Sequence, residues 1–261
     1  MAKLIVLGIC ASQNARYETT NFVIDFSNSK ILLDTGPGVV RQLYRAGLSA
    51  TDIELVIITH SHGDHTLGFP YFIFSKSVEK LQGKISSGSI PVIALPEVYK
   101  GIMDMYTFCY PPGRPLSFSI ENWEASSEKT KTFEFKGIKI ITTPVTHTVP
   151  TIGVRFDIGP TKIAFSSDTI YDKRVVELAR GCQILVHEAM MTEKMESMAV
   201  KTRHAIAAEA GKAAREAGVQ TLILCHIYSS FIENVDPLIE EARKYFDGKI
   251  IVPTELEEIE I

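Results

Sequence analysis

The sequence predicts a layered α/β fold in which two packed β-sheets are flanked by helices, an αββα sandwich. Three observations predict it. Short apolar strand runs come first and helices follow them in both halves of the chain. No linker or low-complexity tract separates the halves. Hydrophobic residues make up 45% of the 261 positions, enough to bury a full core between layers. The expectation is one domain over 1–261, with an insertion or lid at about 71–135.

The elements follow in order. Leu4–Leu7, Phe22–Phe26 and Ile31–Leu33 read as antiparallel strands, with Asn28 and Ser29 turning between the last two. Asp34-Thr35-Gly36-Pro37-Gly38 then leads into a helix from about Val39 to Ala46, which Gly47 stops. Leu55–Thr59 is a continuous buried strand running straight into His60. The stretch from Tyr71 to Phe135 is less regular, with Tyr106–Tyr110, Pro111-Pro112-Gly113-Arg114-Pro115 and polar Ser126–Lys131; it reads as helix plus loop. Strands return at Ile138–Thr142, Ile152–Ile158, Lys162–Ser166 and Ile184–His187. A helix from about His204 to Ala217 ends at Gly218, and Thr221–Cys225 is a buried strand running into His226. A helix at about 237–246 and a strand at 249–252 close the pattern.

Composition excludes several classes. The 27 Lys+Arg against 31 Asp+Glu give a net charge of −4, so no global basic field invites nucleic acid or an acidic membrane. No apolar run reaches membrane-spanning length, and the N-terminal residues read as a first strand rather than a signal peptide. The four cysteines, Cys10, Cys109, Cys182 and Cys225, are scattered without a CxxC, which suits a reducing cytoplasm and argues against a disulfide scaffold or a Cys-type zinc site.

The histidines carry the chemistry. His60-Ser61-His62-Gly63-Asp64-His65 directly follows a buried strand. Imidazole and carboxylate suit Zn²⁺ and related divalent ions. The spacing of His60 and His62 lets both rings point at one ion, while Asp64 and His65 can face a second. The bland alternative is a solvated polar loop. Three further candidates sit at strand ends: His147 after Ile138–Thr142, Asp168 after Lys162–Ser166, and His226 after Thr221–Cys225. Each alone is more often a hydrogen-bonded structural group than a ligand. Together with the first cluster they supply seven ligands for two metals, with Asp168 placed to bridge. Two such ions can share a hydroxide and clamp both oxygens of a displacement.

The chain here resembles the metallo-β-lactamase superfamily, and within it the ribonuclease Z branch. The motifs are Leu33-Asp34-Thr35-Gly36, His60–His65, Pro144–Gly153, Ser167-Asp168-Thr169, His187-Glu188-Ala189, Arg203-His204-Ala205 and Leu224–Tyr228. The resemblance implies that His60, His62 and His147 bind one metal and Asp64, His65 and His226 the other, with Asp168 shared. It implies that His204 protonates the leaving group and that Glu188 orients it. At the start of the Ala-rich helix, the dipole would hold His204 near neutral. Asp34 reads as a residue holding the histidine loop, and His187 as a buried structural group.

Two departures limit that resemblance. The branch's Gly-rich tRNA-gripping arm lies between the third-motif His and the bridging Asp, and only twenty residues separate His147 from Asp168. The branch's basic N-terminal loop is matched only in part by Ser12-Gln13-Asn14-Ala15-Arg16-Tyr17. Both weaken tight tRNA binding, which rests on phosphate neutralisation. Lys76, Lys80, Lys84, Lys100 and Arg114 could compensate, though a solvated face is the simpler account of most of them.

The resulting expectation is a cytoplasmic, dinuclear metal-dependent hydrolase of a phosphodiester, RNA included, acting as a homodimer. Two zinc ions are expected, with Mn or Fe as alternatives; hydroxide between them attacks phosphorus, and Asp64 orients it. One alternative is another ester on the same metals: a cyclic nucleotide, sulfate ester, lactone or thioester. The thioester is least favoured, since no C-terminal helical domain follows the last ligand. Another is a non-catalytic metal-binding scaffold.

Overall fold

The structure is a computed structural model that describes residues 2–11, 14–84, 88–110 and 118–261. Ser12 and Gln13 of the partly basic loop, and the Pro111–Pro115 segment with Arg114, lie outside the described residues. The chain forms two compact units. One comprises residues up to Gly8, Ala15–Ala125 and Thr254–Glu260; the other comprises Ile9–Asn14, Ser126–Pro253 and Ile261.

The first unit is built on a seven-stranded mixed sheet. Its order is Glu258–Glu260, Lys3–Gly8, Asn21–Phe26, Ser29–Leu33, Ile53–Ile57, Ser89–Ala94 and Ser119–Glu124. The first four strands pair antiparallel among themselves. Ser27 and Asn28 join two of them with φ of 46° and 64°, the paired positive values that a two-residue hairpin turn with the native strand twist requires. From Ser29–Leu33 onward the pairing is parallel. The intervening helices are Val39–Arg45, Phe69–Leu81 and Pro96–Cys109. Leu55, Val56 and Ile57 are wholly buried, as expected of a parallel strand covered on both faces.

The second unit repeats the plan. Its sheet runs Lys249–Ile251, Thr221–Cys225, Ile184–Glu188, Thr161–Phe165, Thr151–Ile158, Ile138–Val145 and Lys131–Phe135. The meander from Lys131 to Phe165 is antiparallel; the remaining pairs are parallel and are linked through helices Lys173–Ala179, Ala207–Ala217 and Asp236–Arg243. Gly211 is required where two of these helices touch, because a Cβ there would meet the Ala242 carbonyl oxygen at 2.5 Å.

Strand polarity places the chemistry. In an open sheet with parallel strands, functional groups gather beyond the carboxyl ends. His60 follows Ile53–Ile57 and Asp34 follows Ser29–Leu33, at one edge of the first sheet. Asp168, Glu188 and His226 end Thr161–Phe165, Ile184–Glu188 and Thr221–Cys225, at one edge of the second. Ile138–Val145 lies two antiparallel steps from Thr161–Phe165, so it runs the same way and delivers His147 to that edge as well.

Residues 71–135 hold most of helix Phe69–Leu81, helix Pro96–Cys109 and strands Ser89–Ala94, Ser119–Glu124 and Lys131–Phe135. The last two strands escape sequence reading because they edge their sheets: four of the six positions of Ser119–Glu124 are charged or polar, and none is buried. The helix expected from His204 begins instead at Ala207, and helices Lys173–Ala179 and Glu196–Thr202 were not anticipated.

Candidate metal centre

In the first unit, the carboxylate of Asp34 organises the histidine loop from a left-handed backbone with φ of 64°. Its Oδ1 accepts from the Thr59 amide at 2.8 Å, and its Oδ2 accepts from the Thr59 hydroxyl at 3.0 Å and lies 2.8 Å from His65 Nδ1. Counting protons then fixes tautomers. Thr59 gives its single hydroxyl proton to Asp34, so His60 Nδ1, 2.9 Å from that hydroxyl, must be the donor to it. His65 Nδ1 likewise donates to the carboxylate. In the neutral form of both rings Nε2 then keeps the lone pair a metal needs.

The backbone of the same loop is pinned. The Asp64 carbonyl accepts from Thr19 Oγ1 at 2.9 Å and the His65 carbonyl from the Thr35 amide at 2.8 Å. Gly36 is obligatory at this junction, since a Cβ there would lie 2.5 Å from the Asp64 carbonyl oxygen. His60 and His65 are buried, while His62 and Asp64 are half-buried. His60 Nε2 and His62 Nδ1 stand 3.1 Å apart, and His65 Nε2 and Asp64 Oδ2 3.7 Å apart.

The second unit carries the other candidates. Asp168 follows Ser167, and His226 ends its strand; Ser167 and His226 are both left-handed, with φ of 57° and 54°. Asp168 Oδ2 lies 3.2 Å from His226 Nε2 and 3.9 Å from His147 Nε2. The rings of His147 and His204 are 4.8 Å apart, and those of His204 and His226 stack at 5.2 Å. Ligand-type atoms of Asp168, His204 and His226 lie within 4.8 Å of one another. Glu188 is buried, accepts from the Ala205 amide at 3.0 Å and from the Thr169 amide, and sits 3.1 Å from His204 Nδ1. Burial pushes its carboxyl up, and the His204 imidazole works against that shift.

One expectation needs correction. His204 is not at a helix N-terminus: it lies three residues ahead of Ala207, in the link after helix Glu196–Thr202. The Ala-rich pattern extends the apparent helix backward, but Glu188 captures the Ala205 amide and Glu209 the Ile206 amide, so the chain enters the helix late. The immediate electrostatic partner of His204 is the Glu188 carboxylate rather than a helix dipole.

Sequence reading passed over several groups that hold the site. Thr59 links Asp34 to His60, and the Asp172 carboxylate accepts from both the amide and hydroxyl of Thr146 at 2.9 Å, next to His147. Arg203 meets His147 directly. Thr59, Thr146 and Arg203 each neighbour a candidate site residue in sequence, whereas Asp172 carries no such signal. His187 is a structural group: it is fully buried, Nδ1 donates to the Glu188 carbonyl, and burial lowers its pKa to about 4.

The donor set fits a divalent metal. Two ligand atoms on a tetrahedral zinc are about 3.3 Å apart, and the His60–His62 and His226–Asp168 spacings of 3.1 and 3.2 Å match such an edge. All donors are nitrogen or oxygen, as Zn²⁺, Mn²⁺ and Fe²⁺ accept.

The family model of the Beta-lactamase superfamily domain matches residues 29–227. Among curated proteins, ribonuclease Z of Archaeoglobus fulgidus is 25% identical over 87% of both chains, and that of Ignicoccus hospitalis 26% over 94% of both. Among solved structures, the metallo-β-lactamase fold protein YhfI of Bacillus subtilis superposes with a TM-score of 0.84 at 18% identity, covering 99% of this chain and 98% of that one. Human tRNase Z, short form, gives 0.81 at 18%, covering 99% of each. A diphosphatase of the PhnP family gives 0.75 at 19%, covering 100% and 98%. These structural likenesses show a metallo-β-lactamase fold of layered α/β class, and the family match, spanning most of the sequence, makes this chain a member of the beta-lactamase superfamily.

Proposed function

We propose that the protein is a metal-dependent hydrolase of ester bonds that cleaves a phosphodiester with two divalent ions, zinc in the first instance. In this reading His60, His62 and His147 hold one ion, Asp64, His65 and His226 the other, and Asp168 is shared. The observation that carries it is the tautomer bookkeeping. His60, His65 and His147 each have Nδ1 engaged by Thr59, Asp34 and the Arg203 carbonyl, so each offers Nε2 as the ligand atom.

Bound divalent ions would supply a water acidic enough to attack near neutral pH and positive charge opposite the phosphoryl oxygens. Asp64, carried on the short helical turn Gly63–Thr66, would orient the attacking water. His204 holds a proton at Nε2 for the departing oxygen. Its Nδ1–H points at Glu188, whose carboxylate fixes the ring and stabilises the doubly protonated form.

The substrate in this reading is smaller than tRNA or held without an arm. The twenty residues between His147 and Asp168 form strand Thr151–Ile158, a turn at Gly159 and Pro160, and strand Thr161–Phe165. A homodimer and a cytoplasmic setting belong to the same proposal.

The test is a metal analysis followed by rates on bis(p-nitrophenyl) phosphate, a precursor tRNA, a lactone and a glutathione thioester. Two ions per chain with phosphodiester turnover is the expected result. Turnover confined to the lactone or thioester would move the attack from phosphorus to carbon. Less than one ion per chain would end the reading.

A further inference from the structure

We infer that Arg203 is a positioning residue that seats His147 and His204 as one unit, an inference that rests on the metal reading above. Arg203 ends helix Glu196–Thr202 with φ of 56° and ψ of 48°. Glycine is the usual residue in this left-handed position, and an arginine there is held in a conformation that L side chains disfavour. The side chain lies at the surface, so core packing does not account for it.

Its contacts do. The Arg203 carbonyl accepts from His147 Nδ1 at 2.9 Å, and its guanidinium Nη1 donates to the His147 carbonyl at 3.0 Å. The two residues are thus joined by reciprocal hydrogen bonds, fifty-six positions apart in sequence. The first bond settles the ring: a carbonyl only accepts, so Nδ1 carries the proton and Nε2 faces Asp168 with its lone pair. The second is charge-assisted and fixes the main chain of the turn that follows Val145. Because His204 is the next residue, the same left-handed corner sets where its ring begins, 4.8 Å from that of His147 and within reach of Glu188. One residue therefore registers a candidate ligand against the candidate proton donor.

Arg203→Gly separates this role from simple architecture. Glycine keeps the carbonyl acceptor and suits the backbone, and removes only the guanidinium; Arg203→Lys returns one cationic donor. Three readouts apply to the full chain: Zn²⁺ affinity by competition with a chromophoric chelator, thermal unfolding of the metal-free protein, and kcat and KM on bis(p-nitrophenyl) phosphate. We expect Arg203→Gly to unfold like wild type when metal-free, to bind Zn²⁺ ~10-fold more weakly, and to lose kcat with KM held. Arg203→Lys should recover part of the affinity. Equal affinity in wild type and Arg203→Gly, a lost affinity that lysine does not restore, or a loss of metal-free stability in parallel with affinity would each overturn the inference. Wild type that itself binds less than one ion would instead overturn the metal reading, so the two failures are distinct.

Discussion

The Asp34 carboxylate holds His65 Nδ1 at 2.8 Å while its other oxygen takes the Thr59 amide at 2.8 Å. One side chain thereby fixes the residue before His60 and the ring of His65. Asp34→Ala should weaken Zn²⁺ binding by ~10–100-fold, as loss of a ligand's supporting bond commonly does. Chelator competition checks it, and unchanged affinity would show that the histidine loop holds its shape unaided.

His62 and His204 should separate binding from turnover. His62→Ala is expected to strip metal and abolish hydrolysis. His204→Ala and Glu188→Gln should keep the metal and lower kcat by ~10²–10⁴-fold, the range of general acid catalysis. Metal content beside kcat distinguishes the roles; metal loss in His204→Ala would recast that residue as a ligand.

The buried His187 makes stability depend on pH. Its pKa falls to about 4 in the fold from an ordinary 6.5. Between those values the unfolded chain binds the proton that the folded one refuses, so stability is full above about pH 6.5 and declines as pH drops towards 4. The loss attributable to this group is on the order of 2–3 kcal/mol. Urea unfolding of metal-free wild type and His187→Leu, at pH 7 and pH 4.5, isolates it: the wild type should lose more between the two pH values. Equal losses would assign the effect to other groups.

Asp172 caps helix Lys173–Ala179 through the Arg174 amide at 2.8 Å and clasps Thr146 as well. Burial alone would raise its carboxyl, but bonds from Arg174 and Thr146 hold it below the usual range. Asp172→Ala should cost about 1–2 kcal/mol, the worth of a good cap, and weaken metal binding through His147. Asp172→Asn, which still accepts at the cap, should retain most of the stability. Calorimetry of the three proteins decides, and equal melting temperatures would remove the cap from the account.

The candidate ligands His60, Asp168 and His226 stand out in the sequence because each follows a strongly apolar strand: Ile57 and Ile58 before His60, Phe165 before Asp168, Leu224 and Cys225 before His226. Periodicity and polarity together mark such points. The beginning of the Ala207–Ala217 helix was not legible, because alanine favours a helix wherever tertiary hydrogen bonds do not intervene, and Glu188 intervenes nineteen residues upstream of Ala207. The Asp34–Thr59 and Arg203–His147 pairings were hidden for a related reason: each joins segments far apart in sequence, through groups whose types are common everywhere in a chain.

Asp34, Ser167, Arg203 and His226 all adopt backbone angles that glycine tolerates more easily. At Arg203 glycine is expected to leave metal-free stability unchanged, so a screen for thermal hardiness alone would pass over a change that sheds chemistry. Natural selection for turnover and laboratory selection for heat resistance would thus part ways at that codon.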